Sequence, residues 1–312
     1  MKNKILITGG AGYIGSRLAD KLISEGFDVV VIDNLSSGKR ENINKKAKLY
    51  EIDIKSQELH SIFKKEDPEI IFHLAASKDV NKSVVDPVSF ADTNILGSLN
   101  VIDAAHKAQI KRIIFTSTAG IYGDSKDGMV QSEKDLPHPS SPYAWTKLAI
   151  EEYLLYMNSS CSMENIILRF ANVYGPGEAV QNSVVNIFIK KLIEKEEVVI
   201  HGDGSQTRDF VYIDDLVKIC SLLISIDFSR VSDNPVFNIS TGREISVNDL
   251  LSLVSEKLNQ SVSAKYERNT FIGQKSSILD TSKTKDLLDW KATTMLSDGI
   301  HKTIEYFKEE NK

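Results

Sequence analysis

Six short runs of Val, Ile, Leu and Phe punctuate the first two-thirds of this 312-residue chain. They are Lys4–Thr8, Asp28–Asp33, Lys48–Ile52, Ile70–Ala75, Arg112–Ser117 and Asn165–Phe170. The runs are nearly continuous in apolar residues rather than alternating, the mark of strands buried on both faces. Helix-like stretches separate them. Gly12–Glu25 carries apolar residues at 14, 18, 22 and 23 and stops at Gly26. A second begins at Asp86-Pro87 and is apolar at 88, 91, 95, 99, 102 and 105, and a third spans Ser141–Met157. This alternation predicts an α/β fold built on a doubly wound parallel sheet.

The rhythm breaks near Tyr174, where Gly175-Pro176-Gly177 ends the last clean unit. A helix over about 183–195, a strand at Val198–Ile200 and a Gly-rich turn at His201–Gly204 follow. Phe237–Ser240 reads as a strand able to return to the main sheet. The expected organisation is a dinucleotide-binding Rossmann domain over 1–174, with a returning segment near 205–242. Residues 175–204 and 243–312 form a smaller, interleaved substrate lobe.

Composition narrows the function. Hydrophobic content of 41% and charged content of 26% are those of a soluble globular protein. A net charge of −5 argues against nucleic acid or an anionic membrane as partner. No apolar stretch approaches the roughly 20 residues of a membrane span. Two cysteines, Cys161 and Cys220, make no disulfide framework and fit reduced packing residues of a cytoplasmic protein. The six His have no metal-ligand spacing, so no metal is expected.

Thr8-Gly9-Gly10-Ala11-Gly12-Tyr13-Ile14-Gly15 follows the first strand and opens a helix. Glycines at 9, 12 and 15 permit a tight turn, close backbone approach and a helix N-terminus facing a pyrophosphate. Asp33 ends the second strand, eighteen residues beyond Gly15, where a carboxylate accepts hydrogen bonds from an adenosine ribose and repels a 2′-phosphate. That favours NAD over NADP. Asp53-Ile54 could frame the adenine. The small residues of Leu74-Ala75-Ala76 let a dinucleotide cross the crevice. Asn94 lies near the inner stripe of its helix, where a buried amide needs partners from the protein or from a cofactor.

At the reacting end, Ser117 and Thr118 finish the fifth strand, and carboxyl ends of parallel strands line the crevice. Ser141-Pro142-Tyr143-Ala144-Trp145-Thr146-Lys147 starts a helix, capped by Ser141 with Pro142 in its first turn. Tyr143 and Lys147 are therefore at i and i+4 on one face. A phenol has a free pKa of about 10, so service as a base near neutrality needs about 4 kcal/mol of help. A cation about 5 Å away supplies roughly 3 kcal/mol at an effective dielectric of about 20. A Thr118 hydroxyl could relay a hydrogen bond between a substrate oxygen and Tyr143.

Taken together, these residues resemble the extended short-chain dehydrogenase/reductase family, and within it the nucleotide-sugar 4-epimerases. The marks are the glycine turn, Asp33-Asn34-Leu35-Ser36-Ser37-Gly38, His73-Leu-Ala-Ala-Ser-Lys78, Asn94-Ile-Leu-Gly97, Ser117-Thr-Ala-Gly-Ile-Tyr-Gly123, the Tyr143/Lys147 pair, Leu168-Arg-Phe-Ala-Asn172 and Gly202–Phe210. The resemblance implies that Tyr143 is the acid and base, Lys147 its electrostatic partner and a nicotinamide-ribose contact, and Thr118 the relay. Lys78 and Asn94 would touch NAD, with Lys78 also facing substrate, and Asn34, Ser36, Ser37, Gly38, Leu74, Ala75, Ala76 and Ser117 would line the cofactor. Asn172 and Arg208 would hold the diphosphate of a UDP-hexose, since a guanidinium fork suits phosphate oxygens. A homodimer through the helices at 87–108 and 142–157 is a family expectation.

A sugar carbinol cannot be inverted by proton removal alone. Oxidation to a ketone makes C4 planar, and hydride return to the other face inverts it. Dehydratases of the family carry Asp-Glu after the Thr, where this chain has Ala119-Gly120, and decarboxylating relatives also use a Glu there. The Arg-x-Gly stretch common near the C-terminus of the family reads Thr270-Phe271-Ile272-Gly273-Gln274, so either Arg268 or Lys275 serves instead or the nucleotide is held differently. Ser277 stands where other 4-epimerases have a bulky Tyr, which implies room for N-acetylated hexoses. The competing readings are a net oxidoreductase on a small alcohol and a non-catalytic dinucleotide-binding protein. The phosphate-type stretch 202–210 disfavours the first. The presence of both Tyr143 and Lys147 disfavours the second.

Overall fold

The computed structural model describes residues 3–125, 128–177, 183–267 and 274–310. Strands β1 (Lys4–Thr8), β2 (Asp28–Asp33), β3 (Lys48–Glu51), β4 (Ile70–His73), β5 (Arg112–Thr118) and β6 (Glu164–Phe170) form one sheet with the strand Val236–Ile239. From edge to edge the order is Val236–Ile239, β6, β5, β4, β1, β2, β3. The pairs β1–β2, β1–β4, β2–β3 and β4–β5 are parallel. The order therefore reverses between β1 and β4, the switch point where a doubly wound sheet opens its crevice. The returning strand expected at Phe237–Ser240 pairs at the β6 edge. Leu6, Ile7, Val30, Val31, Ile71, Phe72, Ile113 and Ile114 are fully buried, as continuous apolar runs covered on both faces must be.

Helices α1 (Tyr13–Ser24), α2 (Glu58–Glu66), α3 (Val80–Val85), α4 (Pro87–Ala91), α5 (Ser98–Lys107) and α6 (Pro142–Ser160) supply the layers over the sheet. Helices α2 and α3 have no counterpart in the sequence reading, and two further details depart from it. The strand expected to reach Ala75 ends at His73. There the Thr8 side chain takes over from the ladder: its Oγ1 meets His73 Nδ1 at 2.7 Å and accepts the Ala75 N–H at 3.3 Å. The helix expected to run unbroken from residue 87 contains a π-turn, Asp92–Gly97, between α4 and α5. Asn94 sits in this turn, 2% exposed, with its amide committed to tertiary partners. Wide turns of this kind cluster at functional sites.

The chain divides into two compact units. The first comprises 1–121, 137–169 and 217–237, and the second 122–136, 170–216 and 238–312. Within the first, Arg112 is 1% exposed. It donates to the carbonyls of Leu223, Ile224 and Ile226 at 2.7, 3.2 and 2.9 Å and pairs with Glu164 at 2.8 Å. This fastens 217–237 to the base of β5. Within the second, Asp209 accepts from the backbone N–H groups of Thr241, Gly242 and Arg243 and orders that loop. Among the described residues no helix is long and apolar enough to cross a membrane.

Candidate active site

The glycine turn is built as its spacing predicts, and each glycine has its own reason. Gly9, at φ +72°, donates its N–H to Ile32 O at 2.8 Å, and a Cβ there would lie 2.7 Å from Ala75 N. A Cβ on Gly10 would lie 2.6 Å from Val31 Cγ1, and one on Gly15 2.3 Å from Gly9 O. The protein's own packing therefore demands those three. Gly12, the N-cap of α1, is different: a Cβ there would meet only Gly9 O, at 3.2 Å. The remaining free side of Gly12, at a helix N-terminus, suits close approach of a phosphate. Tyr13, Ile14 and Gly15 form the first turn of α1.

Asp33 is 8% exposed, and its carboxylate accepts the Ala11 N–H at 2.9 Å and the Leu35 N–H at 2.8 Å. A carboxylate has about four lone-pair sites, so acceptor capacity remains for a ribose. Asn34 donates to Asp53 at 2.8 Å and accepts the Ser36 N–H, Ser36 and Ser37 are exposed, and Gly38 packs against Ala11. Ile54 is buried, Leu74, Ala75 and Ala76 are half-buried in the loop after β4, and Lys78 is exposed. The predicted cofactor residues thus gather along the carboxyl ends of β1, β2, β3 and β4.

Asn94 faces inward. Its Oδ1 accepts the Ser77 N–H at 2.7 Å, and its Nδ2 donates to Ser77 O at 2.9 Å and to Thr146 Oγ1 at 3.0 Å. Both amide hydrogens are spent on the protein. The residue ties the loop after β4 to the turn of α6 that carries Tyr143 and Lys147.

Helix α6 begins as expected. Ser141 Oγ accepts the Ala144 N–H at 3.2 Å, and Pro142 occupies the first turn. The Tyr143 N–H finds Ser83 Oγ at 3.2 Å, a further restraint on the helix start. Lys147 is only 3% exposed, with its ammonium 4.1 Å from the centroid of the Phe115 ring. Burial pulls the Lys147 pKa down to about 7, with the Glu151 charge opposing. Burial pushes the Tyr143 phenol up to about 12, so in the protein alone it is a proton donor. His73, behind Phe115, is held neutral, its pKa lowered to about 3 by burial and by the Lys147 charge.

Thr118 Oγ1 accepts the Gly120 N–H at 3.1 Å. Ser117 is 5% exposed, and its Oγ has no hydrogen-bond partner among the described residues. A buried hydroxyl without a partner is costly and marks a position where a ligand group completes the bonding. With the open side of Gly12 and the spare acceptors of Asp33, it makes this face fit a dinucleotide.

In the second unit, Asn172 and Arg208 lie on adjacent parallel strands, Asn172 opposite Phe210. Asn172 is exposed; Arg208 is half-buried, its pKa lowered by burial against the opposing charge of Asp124. The Thr207 N–H bonds to Lys275 O at 2.9 Å, which brings the 274–277 segment alongside. Ser277 is 3% exposed and Lys275 is exposed. Arg268 and the stretch 270–273 lie outside the described residues.

Sequence reasoning missed the ion pair below Lys147. Glu151 is 0% exposed, and Arg169 Nη2 reaches its Oε2 at 2.6 Å. The available signals were an acid one turn beyond Lys147 on the same stripe and an Arg inside the apolar run Ile166-Ile167-Leu168-Arg169-Phe170.

Residues 5–240 match the NAD dependent epimerase/dehydratase family. The UDP-glucose 4-epimerase of Thermotoga maritima, solved with UDP-glucose, is 41% identical with a TM-score of 0.93, covering 99% of this chain and 100% of that one. The Thermus thermophilus UDP-glucose 4-epimerase, solved with NAD, is 31% identical with a TM-score of 0.89 over 98% and 99% of the two chains. The UDP-N-acetylglucosamine 4-epimerase of Methanobrevibacter ruminantium, solved with UDP-N-acetylmuramic acid, is 32% identical with a TM-score of 0.90 over 98% of each chain.

Proposed function

This chain belongs to the NAD-dependent epimerase/dehydratase family, and from that premise we propose that it inverts C4 of a UDP-linked hexose through a transient 4-keto sugar. The observation that carries the reading is the placement of Tyr143 one helical turn from the buried ammonium of Lys147. The enzyme uses NAD, which when bound takes hydride from C4 and returns it to the opposite face.

The chain's own residues hold the dinucleotide and move the proton. The turn from Gly9 to Gly15 and the start of α1 receive the pyrophosphate, Asp33 the adenosine ribose, Asn34, Ser36, Ser37, Gly38, Asp53 and Ile54 the adenine side, and Leu74, Ala75, Ala76, Lys78 and Ser117 the nicotinamide side. Tyr143 takes the C4 hydroxyl proton and later gives it back. The free phenol is raised by burial, so its ionisation depends on positive charge brought beside it, of which Lys147 is the protein's share. Thr118 relays the hydrogen bond between sugar and phenol. Asn172 and Arg208 hold the diphosphate, and the small, buried Ser277 leaves room for an acetamido group.

Gly120 separates this chemistry from elimination or decarboxylation. A Cβ on Gly120 would lie 3.4 Å from Thr118 Oγ1, so an acid here would stand beside the relay hydroxyl. The chain has none at this position.

The test is incubation of the enzyme with UDP-glucose, UDP-galactose, UDP-N-acetylglucosamine and UDP-glucuronic acid, without added NAD, and NMR of the products. C4 inversion with no accumulation of NADH supports the reading. Net NADH release on a sugar or small alcohol would overturn it in favour of an oxidoreductase. Retention of C4 configuration in every sugar would also sink it.

The protein is further read as a cytoplasmic homodimer. Val85, Val88, Trp145, Tyr153 and Tyr156 on α3, α4 and α6 are exposed apolar side chains, an unusual density for a solvated face. A second copy of the same helices covers them in this reading. Sedimentation would find a dimer of twice 34.8 kDa, reduced to monomer by Val88→Asp with Trp145→Lys.

A further inference from the structure

Lys147 must be a cation in a place where a cation is costly. It is 3% exposed, with its ammonium over the ring of Phe115, 4.1 Å from the centroid. Along α6, Tyr143, Lys147 and Glu151 stand at i, i+4 and i+8, on one stripe. Glu151 is 0% exposed. Arg169 on β6 pairs with it: Nε lies 3.3 and 3.1 Å from the two carboxylate oxygens and Nη2 lies 2.6 Å from Oε2. Packing alone gives no reason for the pair. A buried ion pair is often no more stabilising than apolar residues of similar volume, and neighbours such as Ile150 and Leu154 show that apolar residues suit this face.

We propose that Glu151, paired with Arg169, is a positioning residue that holds Lys147 in its ammonium form, so that charges of alternating sign run from Arg169 through Glu151 and Lys147 to the Tyr143 oxygen. The proposal rests on the reading of Lys147 and Tyr143 given above. Among the described residues, the charge that acts on Lys147 is Glu151 from its own helix, Lys147 in turn acts on His73 from β4, and Arg169 from β6 pairs with Glu151. His73 is neutral near pH 7, so Glu151 is the charged group that offsets burial.

The decisive variant is Glu151→Gln with Arg169→Met, which removes both charges of the pair together and leaves neither partner behind as a buried charge. The readout is the titration of the Lys147 Nζ by nitrogen-15 NMR in protein without substrate, assigned with Lys147→Met. The expected result is a folded protein whose Lys147 midpoint falls by about one pH unit. The alkaline limb of kcat falls with it. A folded double variant with an unmoved Lys147 midpoint would overturn the proposal. Glu151→Asp, which keeps the charge but withdraws it by one methylene, is expected to lower the midpoint by less. If the double variant does not fold, an unmoved midpoint in Glu151→Asp overturns the proposal and a lowered one supports it. Because the titration needs no turnover, failure of the wild-type enzyme to invert any sugar would count against the function and leave this result standing.

Discussion

The Lys147 ammonium sits 4.1 Å from the centroid of the Phe115 ring, over its π face. A desolvated cation over an aromatic face gains about 2 kcal/mol. Phe115 thus stabilises the charged form of Lys147 from the sheet side, while burial works against it. Phe115→Leu removes the π face and keeps the site apolar. The Lys147 pKa should fall, so kcat at pH 8 should drop about tenfold, with partial recovery at pH 6 where the ammonium is restored. A pH–rate profile of the two proteins checks this.

In the proposed mechanism Tyr143→Phe deletes the group that moves the proton, and it leaves the helix cap at Ser141 untouched. General acid–base groups contribute about 10²- to 10⁴-fold, and a loss in that range is expected in kcat. NAD content of the purified protein, measured after denaturation, should stay near the wild-type value.

The glycine turn offers a paired test. Gly15→Ala places a Cβ 2.3 Å from Gly9 O, backbone that cannot move aside, so both stability and NAD retention should be lost. Gly12→Ala meets Gly9 O at 3.2 Å and little else. It should unfold near the wild-type temperature and yet retain NAD poorly. Thermal unfolding beside bound-NAD assay separates the two outcomes.

Acid should weaken the fold in two stages. Burial keeps His73 at about 3 in the folded state against 6.5 in the free imidazole. As pH falls below 6.5 the unfolded chain takes a proton that the folded chain refuses, so stability declines. Burial also opposes ionisation of Glu66, but hydrogen bonds from Lys48, Tyr50 and Lys4 outweigh it and hold the carboxyl at about 2 against 4.5. The stability Glu66 contributes is complete above pH 4.5 and is lost as pH falls toward 2. Urea midpoints against pH should therefore begin to drop near pH 6.5 and steepen below 4.5. Glu66→Gln should lower the midpoint at pH 7 and flatten the curve below 4.5.

What could be read from the sequence was what local spacing determines. Gly9, Gly12 and Gly15 follow a strand and open a helix, and no distant residue is needed to see it. Ser141, Pro142, Tyr143 and Lys147 likewise specify a capped helix with two reactive groups on one face. The alternation of apolar runs gave the succession of strands up to Phe170, because parallel strands covered on both faces leave a compositional mark, while the short helices α2 and α3 were not read. The ion pair of Glu151 and Arg169 was not legible: each residue looks ordinary in its own segment, and only the packing of α6 on β6 joins them. The π-turn was hidden for the same reason, since its apolar positions fit an ordinary helix and the bonds of Asn94 to Ser77 and Thr146 cross 17 and 52 residues. Pairing between residues far apart in the chain is decided by tertiary structure, and single-sequence periodicity carries no trace of it.

The π-turn at Asp92–Gly97 acts as a phase shifter. An extra residue in one turn rotates everything before it by about 100° relative to everything after it. On the early side, Val88 of α4 points outward; on the late side, Val101, Ile102 and Ala105 of α5 point into the core. One stretch of chain thereby serves two surfaces that a regular helix would have placed in a different angular relation. Deleting a single residue from this segment would swing one surface away from its target. Insertions and deletions should accordingly be tolerated far less here than in exposed loops such as 36–46.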